Sequence, residues 1–87
     1  MEAFEIIVKN NSYKVIRDAD NKEFYSVFNH SVYYLIRKNN FGSWEMAEHR
    51  FGNGELSVTE VGSQIDNYYD YLAYSALMKS IGGSLES

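Results

Sequence analysis

The chain has no cysteine, no proline and no long run of apolar residues. Without cysteine it has no disulfide, no thiolate zinc site and no cysteine nucleophile. No apolar stretch approaches the roughly 18 residues that a membrane-spanning helix needs. The first ten residues also lack the basic flank and apolar core of a signal peptide. We therefore expect a cytoplasmic protein with no membrane partner.

Clusters of basic side chains are missing as well. Residues 1–50 carry seven basic and seven acidic side chains, whereas residues 51–87 carry Lys79 against five acidic ones, which accounts for the net charge of -4. A surface that tracks phosphates needs grouped Lys and Arg. We therefore do not expect nucleic acid as a partner; the one alternative is stacking of single-stranded bases on exposed aromatic rings.

Aromatic side chains are plentiful, with eight Tyr, five Phe and one Trp among 87 residues. This length corresponds to a single domain spanning residues 1–87. A domain this small buries only about 60 to 65% of its unfolded surface. The aromatic residues must therefore supply much of its core.

The first part of the chain has the alternation of β-strands. Apolar residues recur at every second position in Phe4-Glu5-Ile6-Ile7-Val8, and Asn10-Asn11 suits a tight turn. A two-residue turn there pairs Val8 with Tyr13 and Ile6 with Val15. This pairing places five apolar residues on one face, which supports the hairpin: Phe4, Ile6, Val8, Tyr13 and Val15.

A second hairpin, with its turn at 29–31, is apolar on both faces. With a two-residue turn, one face carries Tyr25, Val27, Val32, Tyr34 and Ile36, and the other carries Phe24, Phe28, Tyr33 and Leu35. A three-residue turn changes this partition but leaves both faces apolar. A half-solvated strand alternates apolar with polar residues, so something should cover at least part of the second face. With a last strand at 43–47, the pattern predicts a five-stranded antiparallel meander over residues 3–49.

The second part of the chain predicts one long helix, from about 58 to 81. Ser57 and Glu60 form a capping box at its start, and Gly82-Gly83 suits its end, leaving 82–87 as a flexible tail. One stripe should lie on the sheet, made of Val58, Val61, Ile65, Tyr68, Tyr69, Leu72 and Ala76. The fold class is therefore α+β, with the helix packed on one face of the meander.

A second apolar stripe begins beyond Asp70, on another side of the helix. It consists of Tyr71, Tyr74, Leu77, Met78 and Ile81. A 24-residue helix is about 36 Å long, so it overhangs its sheet by roughly 10 Å or more. A homodimer formed through this stripe would cover it. The alternatives are a chain that bends after Asp70 and buries the stripe against its own second face, or a helix that breaks early.

Candidate chemistry is sparse, and we expect no enzyme, no cofactor and no metal. His30, His49 and Glu45 have no metal-ligand spacing and fit solvated side chains better. Asp66 and Asp70 are one helical turn apart, which could suggest paired carboxylates, but a solvated polar face explains them more simply. Trp44 fits a core role better than a ligand-stacking role.

Several short motifs recur along the chain: Phe4-x-Ile6, Tyr13-x-Val15, Tyr25-x-Val27, Tyr34-x-Ile36, Gly42-x-Trp44 and Glu60-Val61-Gly62-x-x-Ile65. With these motifs the chain resembles a group of small uncharacterised bacterial proteins, in which a run of strands ends in Gly-x-Trp and a C-terminal helix follows. The resemblance covers roughly residues 4–66. It implies a sheet-plus-helix fold in a bacterial cytoplasm and no known activity. The tyrosine-rich segment from Tyr68 to Ile81 departs from that pattern.

These observations predict a non-enzymatic protein-interaction or regulatory module that is homodimeric through its aromatic C-terminal helix. The second hairpin is a further candidate for the dimer contact. The alternative is a small-ligand or peptide-binding domain that uses the second apolar sheet face. Polar groups converging on Tyr25, Tyr33 or Tyr34 would favour the ligand-binding alternative.

Overall fold

A computed structural model of the chain describes residues 2–52 and 56–85, with side chains for residues 2–52 and 56–79. Five strands precede one helix: β1 (Glu2–Val8), β2 (Asn11–Arg17), β3 (Phe24–Phe28), β4 (Tyr33–Lys38), β5 (Trp44–Phe51) and α1 (Val58–Leu85). The strands form one antiparallel sheet in the order β1-β2-β3-β4-β5. The predicted α+β fold, a meander followed by a helix, is confirmed.

The first hairpin turns one residue earlier than the sequence predicts. Lys9 and Asn10 occupy the turn with φ of 51° and 67°, and Ile6 pairs with Tyr13 rather than with Val15. Positive φ at both central residues is what a tight hairpin turn of this kind requires. Moving such a turn by one residue shifts the pairing by two, which keeps every side chain on its face. The predicted face is therefore right and the predicted pairing wrong.

The second hairpin is closed by a four-residue loop over 29–32. The Asn29 side-chain Oδ1 accepts hydrogen bonds from the backbone N–H groups of Ser31, at 2.7 Å, and Val32, at 3.0 Å. A loop of four residues gives the same partition of faces as a loop of two. Phe28 accordingly pairs with Tyr33, and the two predicted apolar faces of this hairpin are confirmed.

The last strand is longer than predicted, because β5 runs to Phe51 and includes His49. Its pairing with β4 shifts register at two places, between Tyr33 and Tyr34 and between Leu35 and Ile36. Such irregularities increase the local twist of an edge strand. The observed sheet therefore covers residues 2–51 rather than 3–49.

The core lies between one sheet face and the first part of α1. Its buried side chains are Phe4, Ile6, Val8, Tyr13, Val15, Tyr25, Val27, Val32, Tyr34, Ile36, Val61 and Ile65. All but the last two come from the first two hairpins. The helix thus contributes only two fully buried side chains to the described core, Val61 and Ile65.

The helix begins as predicted and extends beyond its predicted end. The Ser57 Oγ accepts a hydrogen bond from the backbone N–H of Glu60 at 3.3 Å, as an N-cap does. The helical backbone continues through Gly82 and Gly83 to Leu85, so the predicted stop after residue 81 is wrong. Glycine permits the left-handed conformation that ends a helix but does not require it. Of the predicted tail, residues 86 and 87 lie outside the described part of the chain.

Candidate functional site

Helix α1 leaves the sheet after Tyr69, and we call residues 70–85 the helix extension. At about 1.5 Å per residue the extension is roughly 24 Å long. Its length accounts for the elongated molecule, which measures 53 × 29 × 22 Å. The helix is continuous, so the chain neither bends after Asp70 nor breaks early. The alternative in which the molecule buries this segment against itself is therefore wrong.

The sheet-facing stripe is shorter than the sequence predicts. Val61 and Ile65 are buried and Tyr68 and Tyr69 are half-buried, but Leu72 and Ala76, which continue the same stripe, are exposed. Helical periodicity gives the direction of a side chain and not the place where the sheet ends. Leu72 and Ala76 lie on the sheet-facing side of α1, but the helix has already passed the edge of the sheet at these positions.

The second stripe is exposed at every described position. The exposed fraction is 66% for Tyr71, 62% for Tyr74, 57% for Leu77 and 44% for Met78. Ile81 occupies the next position of the stripe, and its side chain lies outside the described part. We call these five residues the extension stripe.

The extension stripe points away from the sheet to which its own helix is attached. Tyr74, near its centre, follows Ile65 by nine residues, and nine steps of about 100° equal half a turn around the helix. Ile65 is fully buried against the sheet. A partner can therefore reach the stripe without displacing any core contact.

A polar cluster fixes the helix to one edge of the sheet just before the extension begins. The Asp66 carboxylate accepts hydrogen bonds from Lys38 Nζ at 2.7 Å and from Trp44 Nε1 at 3.0 Å. Lys38 Nζ also lies 5.4 Å from the centre of the Trp44 ring. Asp66 therefore bonds to the sheet instead of pairing with Asp70, and its side chain stays partly solvated at 39% exposure. The sequence interpretation of an ordinary polar face missed these two partners.

A second cluster fixes α1 near the opposite edge. The Tyr69 hydroxyl donates a hydrogen bond to Glu2 Oε2 at 2.7 Å, and the Arg17 guanidinium lies 5.3 Å from the centre of the Tyr69 ring. Burial and the bond to Glu2 raise the pKa of the Tyr69 hydroxyl. Burial also raises the pKa of Tyr25, against which Arg17 lies at 5.4 Å. The two clusters hold the helix on both sides and fix the direction of the extension.

The other face of the sheet carries no helix, and we call its apolar centre the open sheet face. It consists of Ile16, Phe24, Phe28, Tyr33, Leu35 and Phe51, of which Phe51 is exposed and the others are half-buried. The Phe28 and Tyr33 rings stack with centres 5.2 Å apart, and Phe51 lies 5.9 Å from Tyr33. The predicted apolar second face is therefore present, and the chain itself covers it only partly.

Polar groups converge on Tyr33 within this face. The Tyr33 hydroxyl donates to Ser26 Oγ at 3.1 Å, and the Arg50 guanidinium lies 5.1 Å from the centre of its ring. A shallow depression of about 410 Å³ is lined by Phe24, Ser26, Tyr33, Leu35 and Arg50, together with Asp18 and Asn21. An apolar floor with a few polar groups is the usual character of a small-molecule site.

The other predicted candidates do not assemble into a site. The Glu45 carboxylate pairs with Arg37 at 3.0 Å, and His49 Nε2 lies 3.1 Å from the backbone oxygen of Phe51. Among residues 2–52 and 56–85, no group of three or more His, Asp or Glu side chains is placed to hold a metal ion. Trp44 packs against the core beside Tyr25, at 5.1 Å between ring centres.

Comparison with known proteins gives no relative: no protein-family model, no curated protein and no solved structure matches the chain. The resemblance to small bacterial proteins therefore stays a prediction. In the described part of the chain, no helix is long and apolar enough to span a bilayer.

Proposed function

We propose that this protein is a non-enzymatic interaction module that self-associates, at least as a homodimer, through its extension stripe. The observation that carries the proposal is the exposure of Tyr71, Tyr74, Leu77 and Met78 on a helix that has already left its sheet. A regulatory role is consistent with such a module, whose output is an assembly rather than a reaction.

The size of the stripe supports this proposal. Taking about 200 Å² as the surface of one such side chain, the four described residues expose on the order of 400 Å². The largest apolar patch of a typical monomer is about 300–600 Å² and often functional. A standard interface buries about 800 Å² on each partner, so the stripe supplies roughly half of one.

The charges of the helix extension also support self-association. Residues 70–85 contain only Asp70 and Lys79 as charged side chains, and neither belongs to the stripe. Like-charge repulsion between two extensions is therefore small. Tyrosine is also among the residues that are enriched at interfaces.

The test is the molar mass in solution, measured by light scattering, of the wild type and of the double variant Tyr74→Glu/Met78→Lys. A wild type of two or more chains that becomes a folded monomer in this variant is the expected result. The control is Ser63→Glu/Asn67→Lys, which introduces the same two charges at the same spacing on exposed positions of the sheet-bound part of α1. It should keep the wild-type mass. A monomeric wild type would contradict the proposal.

A second candidate function, small-ligand or peptide binding on the open sheet face, is favoured by the groups around Tyr33. Ser26 and Arg50 supply a hydroxyl and a cation beside an apolar floor. The probe is anilinonaphthalene sulfonate, an apolar anion, titrated against Tyr74→Glu/Met78→Lys so that the extension stripe does not compete. We expect binding that is weakened at least tenfold by adding Arg50→Glu. Equal binding with and without that change would contradict this function.

A further inference from the structure

We propose that the extension stripe of one copy docks on the open sheet face of a second copy, head to tail. This inference rests on the proposed function, because it names the surface that receives the stripe. Both surfaces are apolar and both belong to the same chain, in which the stripe is exposed and the open sheet face is only partly covered.

The dimensions of the two surfaces match. The extension is about 24 Å long. Five strands spaced about 4.8 Å apart give a sheet roughly 20 Å wide, so one extension can cross the whole open sheet face. Helix-on-sheet packing is also what this chain already uses on its other face, where Val61 and Ile65 are buried. A second helix on the open face would complete a three-layer arrangement, with the sheet between two helices.

The charges around the open sheet face permit this contact. Two cations beside it are paired, Arg37 with Glu45 at 3.0 Å and Arg50 with Glu48 at 3.2 Å. Lys14, opposite Phe28, and Glu5, opposite Lys14, lie on the same side of the sheet towards β1 and are exposed. A long Lys side chain can keep its ammonium group in water above an apolar contact, which avoids the several kcal/mol that a buried unpaired charge would cost. A contact between two stripes would leave the open sheet face of both copies uncovered. A contact between the stripe of one copy and the open sheet face of another covers one stripe and one open sheet face.

The orientation of the stripe decides the symmetry of the assembly. In one copy the stripe and the open sheet face point in opposite directions. A second copy whose open sheet face rests on that stripe therefore has the same orientation as the first copy. Its own stripe then faces outward. Such a contact is heterologous, and further copies can add at both ends. A two-fold dimer, by contrast, would join the same patch on both copies.

The test is complementation between two variants, each defective in one surface. The stripe variant is Tyr74→Glu/Met78→Lys, and the face variant is Leu35→Lys/Phe51→Glu. Each alone should be a folded monomer by circular dichroism and light scattering, and an equimolar mixture should form a pair with the mass of two chains. The wild type should gain mass beyond two chains as its concentration rises. If the face variant does not fold, Phe51→Lys alone replaces it, since that side chain is 47% exposed.

Each other outcome overturns the head-to-tail contact in a recognisable way. A face variant that dimerises like the wild type would place the contact between two stripes, and the proposed function would stand. A mixture that stays monomeric would show that the two surfaces do not bind each other. A face variant that keeps the wild-type mass but loses the anilinonaphthalene probe would assign the open sheet face to a ligand. A monomeric wild type would overturn both proposals together.

Discussion

Gly62 lies directly against the indole ring of Trp44, so that a Cβ atom added at residue 62 would be 2.7 Å from Trp44 Nε1 and closer still to two carbon atoms of the ring. The hydrogen bond from the indole to Asp66, one helical turn further along, holds the ring in this position. Helix α1 can approach β5 this closely because residue 62 has no side chain.

Gly62→Ala should therefore destabilise the protein. In an exposed helix interior this change stabilises by roughly 1 kcal/mol, but here the added methyl group must displace a ring that is hydrogen-bonded to Asp66. We expect a loss of about 1–3 kcal/mol in the free energy of unfolding, measured by urea titration. Ser63→Ala, at the next and exposed position, is the control and should change stability by less than about 0.5 kcal/mol.

The cost should depend on the size of the indole ring. In the background Trp44→Leu, Gly62→Ala should cost at least about 1 kcal/mol less than in the wild type, because the shorter side chain leaves space for the methyl group. Equal costs in the two backgrounds would mean that the loss has another origin.

Asp66→Ala should destabilise the protein by about 1–2 kcal/mol, because it removes the acceptor of two hydrogen bonds. Trp44 is the only tryptophan, so its fluorescence reports the change directly, and we expect a red shift as the freed indole N–H meets water. The matched control is Asp70→Ala, one helical turn further along on an exposed position. Equal losses for the two variants would contradict the assigned role of Asp66.

Tyr69→Phe should change how stability depends on pH. The pKa of Tyr69 is raised in the folded protein above its usual value of 10.0, first by burial and then by Glu2. Above pH 10 the unfolded chain loses this proton while the folded chain retains it, so stability falls as the pH rises. Above pH 10 the free energy of unfolding of the wild type should therefore fall relative to that of Tyr69→Phe. Urea titrations below and above that pH measure it, and a constant difference would refute the assignment.

Glycine substitutions in the first hairpin test the observed position of its turn. Lys9 has positive φ and Asn11 lies in β2, so Lys9→Gly should be neutral or stabilising, while Asn11→Gly should cost about 0.5–1 kcal/mol. Loss of the exposed Lys9–Glu60 ion pair, 3.7 Å long, contributes little. The predicted turn at Asn10-Asn11 would give the opposite order in thermal or urea unfolding.

Hydrophobic alternation was sufficient to predict the sheet and its buried face. It did not identify the turn, because pairing Ile6 with Tyr13 or with Val15 leaves the same residues buried. The face assignment depends on whether residue positions are odd or even, whereas the pairing depends on the φ angles that Lys9 and Asn10 adopt.

The candidate site was predicted in part for a similar reason. Periodicity identified the extension stripe, since Tyr71, Tyr74 and Met78 recur at helical spacing. It did not identify the role of Asp66, whose partners Lys38 and Trp44 are 28 and 22 residues away in the chain. Only the crossing of α1 over β4 and β5 brings these groups together, and no local pattern encodes that crossing.

The strand order has a consequence for the newly synthesised chain. Each strand pairs with the strand that precedes it in the sequence, so the sheet can assemble hairpin by hairpin as the polypeptide leaves the ribosome. The buried sheet face, which includes Val15 and Val27, shares one core with Val61 and Ile65 of α1, and the helix is the last element to be synthesised. Until then the nascent sheet exposes apolar surface on both sides, so this interval is the aggregation-prone stage of its synthesis.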